Sequence, residues 1–394
     1  MENKINIFII GLGRWGKILL NLIADNEIGS LFKIGGIVTT RKNSNDIKKF
    51  SDKYGFKIFC SLDSALESRP DAIFISTPDF NHLDCLQKIY LFCKKKGCSY
   101  PHLLIEKPLG NDIKKCVEVL KNFGYKINRR GYMKPSNTSP IIFIDWHKKF
   151  SPQQKYSSQI ISKNISKISS IKVSYLDQKK VFSRGYLSWF HKTDLFSFLL
   201  GHYLDLIFDS IENSVPIMVS VMVAFDKRKI MREAYVNLAV SLDGGSNTIP
   251  VNLIVSCNEP NNSYALTEQK VTYLFNDSRI SIDTTGRDVE IIDREGIKFK
   301  NVHGDLLFKD KWDGKSHVSG YIYDLLKRWI KLIRDLRRKK ISVKNVLHNY
   351  PLSLLPEIVI NACKLSLDNG IKKGNLIMGR NIEINLKELK FKII

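Results

Sequence analysis

The segment Gly11-Leu12-Gly13-Arg14-Trp15-Gly16 restricts this chain more than any other feature. It comes after the apolar run Ile5–Ile10 and opens the helical pattern KILLNLIA, Lys17 to Ala24. Glycines in G-x-G-x-x-G spacing between a buried strand and a helix form the turn that cradles a dinucleotide pyrophosphate. Each has its own task. Gly11 makes the tight turn, Gly13 lets backbone approach the diphosphate without a Cβ in the way, and Gly16 lets the helix lie on the strand. The diphosphate then faces N–H groups at the helix N-terminus, with Arg14 and Trp15 beside it. The alternative is a glycine-rich turn that binds nothing; the strand–turn–helix context argues against it.

The downstream residues fit such a site. Short apolar runs alternate with helical patterns over the first 125 residues or so: strands at Phe32–Thr39, Lys57–Cys60, Asp71–Ser76 and Leu103–Ile105, and helical segments at 45–54, 62–68, 82–95 and 112–123. Strands and helices in alternation imply βαβ units and a parallel sheet, with function at the C-terminal ends of its strands. The texture changes near residue 150. Strand-like runs at 168–176, 217–225, 233–242, 247–257, 270–276, 279–283 and 289–292 are separated by turn formers such as Asp243-Gly244-Gly245-Ser246. They predict a meandering, mostly antiparallel sheet, preceded by a helix at Thr193–Ile211 and succeeded by helices near 318–338 and 352–368. The expected fold is α/β: a Rossmann dinucleotide-binding domain over residues 1–130, then an α+β substrate-binding and oligomerisation domain over 131–394 with an open sheet.

The choice of nicotinamide cofactor is written after the second strand. An NAD site needs an acid there for the ribose hydroxyls. The chain instead reads Ile37-Val38-Thr39-Thr40-Arg41-Lys42, with no acid before Asp46. Hydroxyls followed by a guanidinium suit a 2′-phosphate, which points through Thr40 and Arg41 to NADP in preference to NAD. The competing reading makes Arg41 and Lys42 an ordinary solvated turn.

Two later segments sharpen the picture. Ser76-Thr77-Pro78 closes the strand DAIFI, with Asn81-His82 opening the next helix, and Glu106-Lys107-Pro108-Leu109-Gly110 closes the strand LLI. With the glycine motif, and with Asp145-Trp146-His147-Lys148-Lys149-Phe150-Ser151-Pro152 and Gly201-His202-Tyr203-Leu204-Asp205-Leu206 further on, this order resembles the Gfo/Idh/MocA family of oxidoreductases. The resemblance implies hydride transfer between a nicotinamide ring and a carbinol or ketone carbon, usually on a sugar, cyclitol or nucleotide sugar. It implies cofactor contacts from Ser76, Thr77, Pro78, His82, Glu106, Lys107 and Pro108. It places Lys107 at the reacting oxygen, where an ammonium stabilises developing negative charge. His202 becomes the candidate for proton transfer, since imidazole titrates near working pH. Asp205 shares its helical face, and His147 and Lys149 are candidates to line the substrate pocket with it. Substrate is expected between Lys107 and His202, and association as a homodimer or homotetramer through the sheet face. One departure stands out. Many members carry Asp four residues before this histidine, where the chain has Phe198. The catalytic set then reduces to Lys107 and His202, the substrate is an unusual one, or activity is lost. A non-catalytic dinucleotide-binding sensor therefore stays open, as does a reductase of an imine or dihydrodiol, to which the cluster Phe196, Phe198 and Tyr203 would offer an apolar pocket.

Charge and cysteine content add bounds. The chain has 394 residues with 62 Lys+Arg against 39 Asp+Glu, a formal charge of +23. Such an excess can serve nucleic acid, an anionic membrane or an anionic substrate, but the 46 lysines run from Lys4 to Lys392 and read as a bias of the whole composition. The densest cluster, 325–344, has nine Lys/Arg against Asp335 alone, with Leu326, Trp329, Ile330, Ile333 and Leu336 forming a stripe of helical period. Without a nucleic-acid motif beside it, the stripe is expected to pack on the protein with its cations solvated, and neither nucleic-acid nor membrane partners are expected. The seven cysteines contain no C-x-x-C, which predicts reduced thiols, no metal and a cytoplasmic setting. The N-terminus lacks signal-peptide character.

Overall fold

The computed structural model describes residues 4–24, 31–40, 45–183, 189–242, 245, 247–261, 267–283, 288–301, 308–312, 315–343, 345 and 352–394. Contacts divide the chain into two compact units. The first gathers 1–127, 133–145 and 306–352, and the second 128–132, 146–305 and 353–394. The sequence boundary near residue 130 falls close to the first crossover, but 306–352, expected in the second domain, groups with the first unit.

In the first unit, β1 (Ile5–Ile10), β2 (Phe32–Val38), β3 (Lys57–Phe59), β4 (Ala72–Ile75) and β5 (His102–Ile105) alternate with α1 (Arg14–Ala24), α2 (Asn45–Tyr54), α3 (Leu62–Leu66), α4 (His82–Lys96) and α5 (Ile113–Asn122). A hairpin, β6 (Tyr125–Ile127) and β7 (Tyr132–Pro135), and then β8 (Ile142–Ile144) extend the sequence reading. The sheet is parallel throughout, in the order β3-β2-β1-β4-β5-β8. Order reverses between β1 and β4, so a crevice for a ligand opens beyond the C-terminal ends of those two strands. Both strands are almost wholly buried, which is why they read as apolar runs broken only by Asn6.

The basic cluster lies largely on a long helix that joins this unit from late in the chain, Tyr321–Arg337. Leu326, Trp329, Ile330 and Ile333 are at most 1% exposed, so its stripe packs as expected. Arg337 at its end forms an ion pair with Asp71 just before β4.

The second unit carries α6 (Pro152–Ser162), β9 (Ile168–Gln178), α7 (Gly201–Ser210), β10 (Ser214–Phe225), β11 (Met231–Leu242), β12 (Thr248–Glu259), β13 (Thr267–Phe275), β14 (Arg279–Asp283), β15 (Asp288–Asp293) and β16 (Gly296–Asn301). With Tyr321–Arg337 as α8, α9 spans Leu355–Asp368. The sheet runs β16-β15-β14-β13-β9-β12-β11-β10 and continues into the strands at 376–378 and 371–373. It is mostly antiparallel but not a simple meander: β9 inserts between β13 and β12, antiparallel to the first and parallel to the second. Helices α7 and α9 pack on one another, α9 on β10, and α6 on α7 and β14.

The expected helix 193–211 is present over 195–210, its first turn wound as a π turn at Phe196–Leu200 that runs directly into α7. A 3₁₀ turn at Phe190–Lys192 lies before it. Asp194 starts the π turn, its Oδ1 accepting the Ser197 N–H at 2.8 Å and its carbonyl the Phe198 N–H at 3.0 Å. Single π turns of this kind recur at functional sites.

Candidate active site

The glycine turn is built as its spacing requires. Gly11 has φ +89, a left-handed value, and a Cβ there would lie 3.0 Å from the Ser76 carbonyl oxygen and the Thr77 nitrogen. A Cβ on Gly16 would lie 2.4 Å from the Gly11 carbonyl oxygen and 2.7 Å from Ser76 Oγ. Gly13 differs: it is exposed, and nothing lies within 4 Å of its Cβ position. Two glycines are therefore demanded by the protein's own packing. The third faces open space at the start of α1, a cradle that a methyl group would partly fill. This is the arrangement a pyrophosphate needs, and the residues present fit a dinucleotide.

The neighbouring strand ends are knitted to this turn. Gly11 N donates to Val38 O at 2.9 Å, Ser76 N to Ile10 O at 2.8 Å, and Ser76 Oγ to Gly11 O at 2.5 Å. His82 lies fully buried, with Nδ1 2.7 Å from the Pro108 carbonyl oxygen and Nε2 2.8 Å from that of Thr77. Burial lowers its pKa, against the two carbonyl contacts. Both ring nitrogens are engaged by main chain, so His82 ties the Ser76–Pro78 turn to the Glu106–Pro108 turn. Between Lys107 and Pro108 the peptide is cis. Glu106 stands at the end of β5 with its Oε2 shielded from solvent. Burial drives its carboxyl well above the usual carboxylate range; Asp145 pushes the same way and Lys107 opposes both. The charged form of Glu106 is thus disfavoured, while Asp145 Oδ2 accepts the indole N–H of Trp15 at 2.8 Å. That bond pins the glycine motif to the end of β8, and nothing in local pattern announces it, since the partners are 130 residues apart. Thr40 is exposed after β2; Arg41 and Lys42 lie outside the described residues.

In the second unit, the segment after β8 docks on α7 through four consecutive side chains. Trp146 lies edge-on to His202, ring centroids 5.7 Å apart, and His147 faces His202 at 4.7 Å. Lys148 donates to Gln269 Oε1 and sits 4.8 Å and 5.0 Å from the ring centres of Tyr175 and Tyr203, while Tyr203 Oη donates to the same Gln269 oxygen at 3.0 Å. Lys149 Nζ reaches Asp205 Oδ1 at 3.3 Å. Gly201 makes the docking feasible, because a Cβ there would lie 2.4 Å from Trp146 Cη2. His147 and His202 are 5% and 6% exposed. Burial pushes the Asp205 carboxyl up to about 7; Lys149 pulls it down and Asp209 raises it. The predicted residues His147, Lys149, His202 and Asp205 are therefore one cluster. Trp146 and Lys148, inside the same motif, belong to it too; their position next to predicted residues was the available signal. Phe198 turns elsewhere, its ring 5.7 Å from that of Phe182.

A parallel βαβ sheet with this glycine turn, joined to an α+β unit, is the architecture of NAD(P)-dependent oxidoreductases. Residues 5–126 match the model of the oxidoreductase family with an NAD-binding Rossmann fold. The N-terminal domain belongs to that family, Gfo/Idh/MocA. Among solved structures, the chain resembles a myo-inositol 2-dehydrogenase from Lactobacillus plantarum (14% identity, TM-score 0.63, 96% of this chain and 100% of that one). It also resembles UDP-N-acetylglucosamine 3-dehydrogenase GnnA from Acidithiobacillus ferrooxidans (16%, 0.61, 84% and 90%). A third is an oxidoreductase from Agrobacterium radiobacter in complex with NAD+, L-tartaric acid and magnesium (12%, 0.67, 95% and 98%). At such identities the likeness is one of fold. No curated protein matches the sequence.

Proposed function

We propose that this protein interconverts a secondary alcohol and a ketone on a small carbohydrate-like substrate, such as a sugar, cyclitol or nucleotide sugar, with NADP preferred over NAD. The observation that carries the reading is the division of labour among the glycines: Gly11 and Gly16 filled by the fold, Gly13 open at a helix start. The cofactor, held by Gly11, Gly13 and Gly16 with the Ser76–Pro78 and Glu106–Pro108 turns around it, would supply the hydride acceptor or donor. Lys107, next to Glu106, places a cation at the C-terminal end of β5, where it hydrogen-bonds the reacting oxygen and stabilises charge developing on it. His202 takes up or returns the hydroxyl proton, with Asp205 and Lys149 fixing α7 beneath it. Thr40 and Arg41 favour the 2′-phosphate.

The test is a panel of sugars, polyols and nucleotide sugars assayed by cofactor absorbance with NADP and NAD in parallel. Turnover is expected with NADP favoured; a tenfold preference for NAD, about 1.4 kcal/mol, would overturn the part given to Arg41. Lys107→Ala is expected to lower kcat by roughly 10²–10³-fold, as for loss of one donor to a developing oxyanion, and to weaken dinucleotide binding far less. Phe198 sustains a second reading, a dinucleotide-binding sensor without turnover. It predicts tight cofactor binding, no activity on any substrate, and full biological activity for Lys107→Ala.

A further inference from the structure

We infer that Asp145 is a positioning residue for the nicotinamide half of the dinucleotide: it holds the Trp15 indole as a bridge across the C-terminal ends of β4 and β5, and the nicotinamide nucleotide rests on that bridge. This deepens the dinucleotide reading of the glycine turn and rests on it.

Strand order sets the bridge. Trp15 follows β1, Asp145 follows β8, and β4 and β5 lie between those strands in the sheet. Three strand spacings separate the ends of β1 and β8 by about 14 Å. Side chains close that gap, Trp15 Nε1 donating to Asp145 Oδ2 at 2.8 Å. The two strand ends crossed are those that carry the Ser76–Pro78 and Glu106–Pro108 turns.

Asp145 is a fixed anchor. It is 1% exposed, its N–H donates to Ile105 O at 2.7 Å, and its carboxyl hydrogen-bonds that of Glu106. The bridge therefore has a foot on the turn that bears Lys107. At its other end, Leu12 and Gly16 are buried while Gly13 and Arg14 between them are exposed and Trp15 is half-buried. The turn thus stands out from the sheet between two buried points, and the Trp15 bond draws it back toward β8. An indole held by its edge N–H has a fixed plane, a broad flat surface on which a planar pyridine ring can stack.

Stability does not call for this arrangement. Helix α1 is docked on the sheet by Leu19, Leu20, Leu22 and Ile23, each at most 3% exposed. Two carboxyls buried in contact cost free energy, and apolar side chains of similar volume would hold the strand ends together as well. Asp145 acts through Trp15 and touches no reacting atom.

The test is calorimetric titration of the full-length protein with NADPH and NADH, and with their nicotinamide-free counterparts 2′-phospho-ADP-ribose and ADP-ribose. The unmodified protein is expected to bind a full dinucleotide at least tenfold tighter than its counterpart. Trp15→Phe keeps a ring without the N–H, and Asp145→Ala removes the acceptor. Each is expected to weaken dinucleotide binding at least tenfold, the loss of one hydrogen bond to a charged group, and binding of the counterpart less than twofold. Asp145→Asn, whose Oδ1 accepts the indole N–H, is expected to bind both as the unmodified protein does. If Asp145→Ala fails to fold, Trp15→Phe and Asp145→Asn decide. Equal losses for dinucleotide and counterpart would show a bridge that only shapes the turn and would overturn the inference. So would a dinucleotide bound alike by all four proteins, or a counterpart bound as tightly as the dinucleotide by the unmodified one; all three leave the reading of the glycine turn in place. An unmodified protein that binds neither dinucleotide overturns that reading, and the role of Asp145 with it.

Discussion

Replacing Gly13 and Gly16 in turn by alanine separates what the glycine turn does for the fold from what it does for a ligand. At Gly16 the new methyl would stand 2.4 Å from the Gly11 carbonyl oxygen, about 1 Å inside ordinary contact. That oxygen has little room to retreat. It accepts Ser76 Oγ at 2.5 Å, and its own residue is tied to Val38 at 2.9 Å. Overpacking against fixed backbone costs about 1–3 kcal/mol, so Gly16→Ala should lower the melting temperature by several degrees and weaken dinucleotide binding with it. At Gly13 the methyl meets nothing within 4 Å. The residue precedes α1, with its carbonyl accepting Lys17 N at 3.1 Å, so the folded state loses only a capping preference of about 1 kcal/mol. Dinucleotide affinity should nevertheless fall at least tenfold, because the methyl occupies the approach of the diphosphate. Differential scanning fluorimetry gives the first quantity and titration calorimetry with NADP and NAD the second. If folded Gly13→Ala bound both dinucleotides within twofold of the unmodified protein, no phosphate lies over Gly13 and the account of the turn is wrong.

Two further outcomes come from particular side chains. Gly201→Ala should force the Trp146 ring, 2.4 Å from the added carbon, off His202: kcat falls and the protein loses about 1–3 kcal/mol of stability, while binding of the dinucleotide is unchanged by calorimetry. His102 accepts the Ile141 N–H at Nδ1, 3.0 Å, and burial, aided by Arg337, lowers its pKa to about 4. Its folded pKa thus lies below the unfolded value, so its contribution is complete above about pH 6.5 and is lost as pH falls toward 4, amounting at full extent to roughly 3 kcal/mol. Urea titrations at pH 7 and pH 4.5 should show that acid loss shrinking in His102→Asn; an undiminished loss would rule out His102 as its source.

The parts legible in sequence were those that local chemistry dictates. The run INIFII must be buried on both faces, and the glycines after it suit a dinucleotide turn at that spacing, so β1, the turn and α1 could be placed within three residues. The strands of the second unit showed their alternation and turn formers. Position in the sheet was another matter. That β9 pairs with β12 and β13, across two hairpins, depends on long-range packing that no window of residues carries. The π turn at Phe196–Leu200 was hidden because its residues are as apolar as those of a regular helix; only Asp194, able to cap Ser197, marks its start. His147 and His202 were both visible as candidates, yet 55 positions of sequence say nothing of a ring contact. Trp15 and Asp145 show the same limit more severely.

The first unit closes only with residues drawn from both sides of about 160 residues of other structure, since 306–352 belongs with 1–127 and 133–145. During synthesis at about 5–20 residues per second, the nascent parallel sheet therefore waits roughly 10–40 s before the helix bearing Trp329 emerges to complete its body. In that interval apolar surface later covered by Leu326, Trp329 and Ile330 stands open to solvent and to other nascent chains. A fragment that stops after β8 would keep that surface bare for good, so the dinucleotide-binding half is better expressed for study as the whole chain than as its first 145 residues.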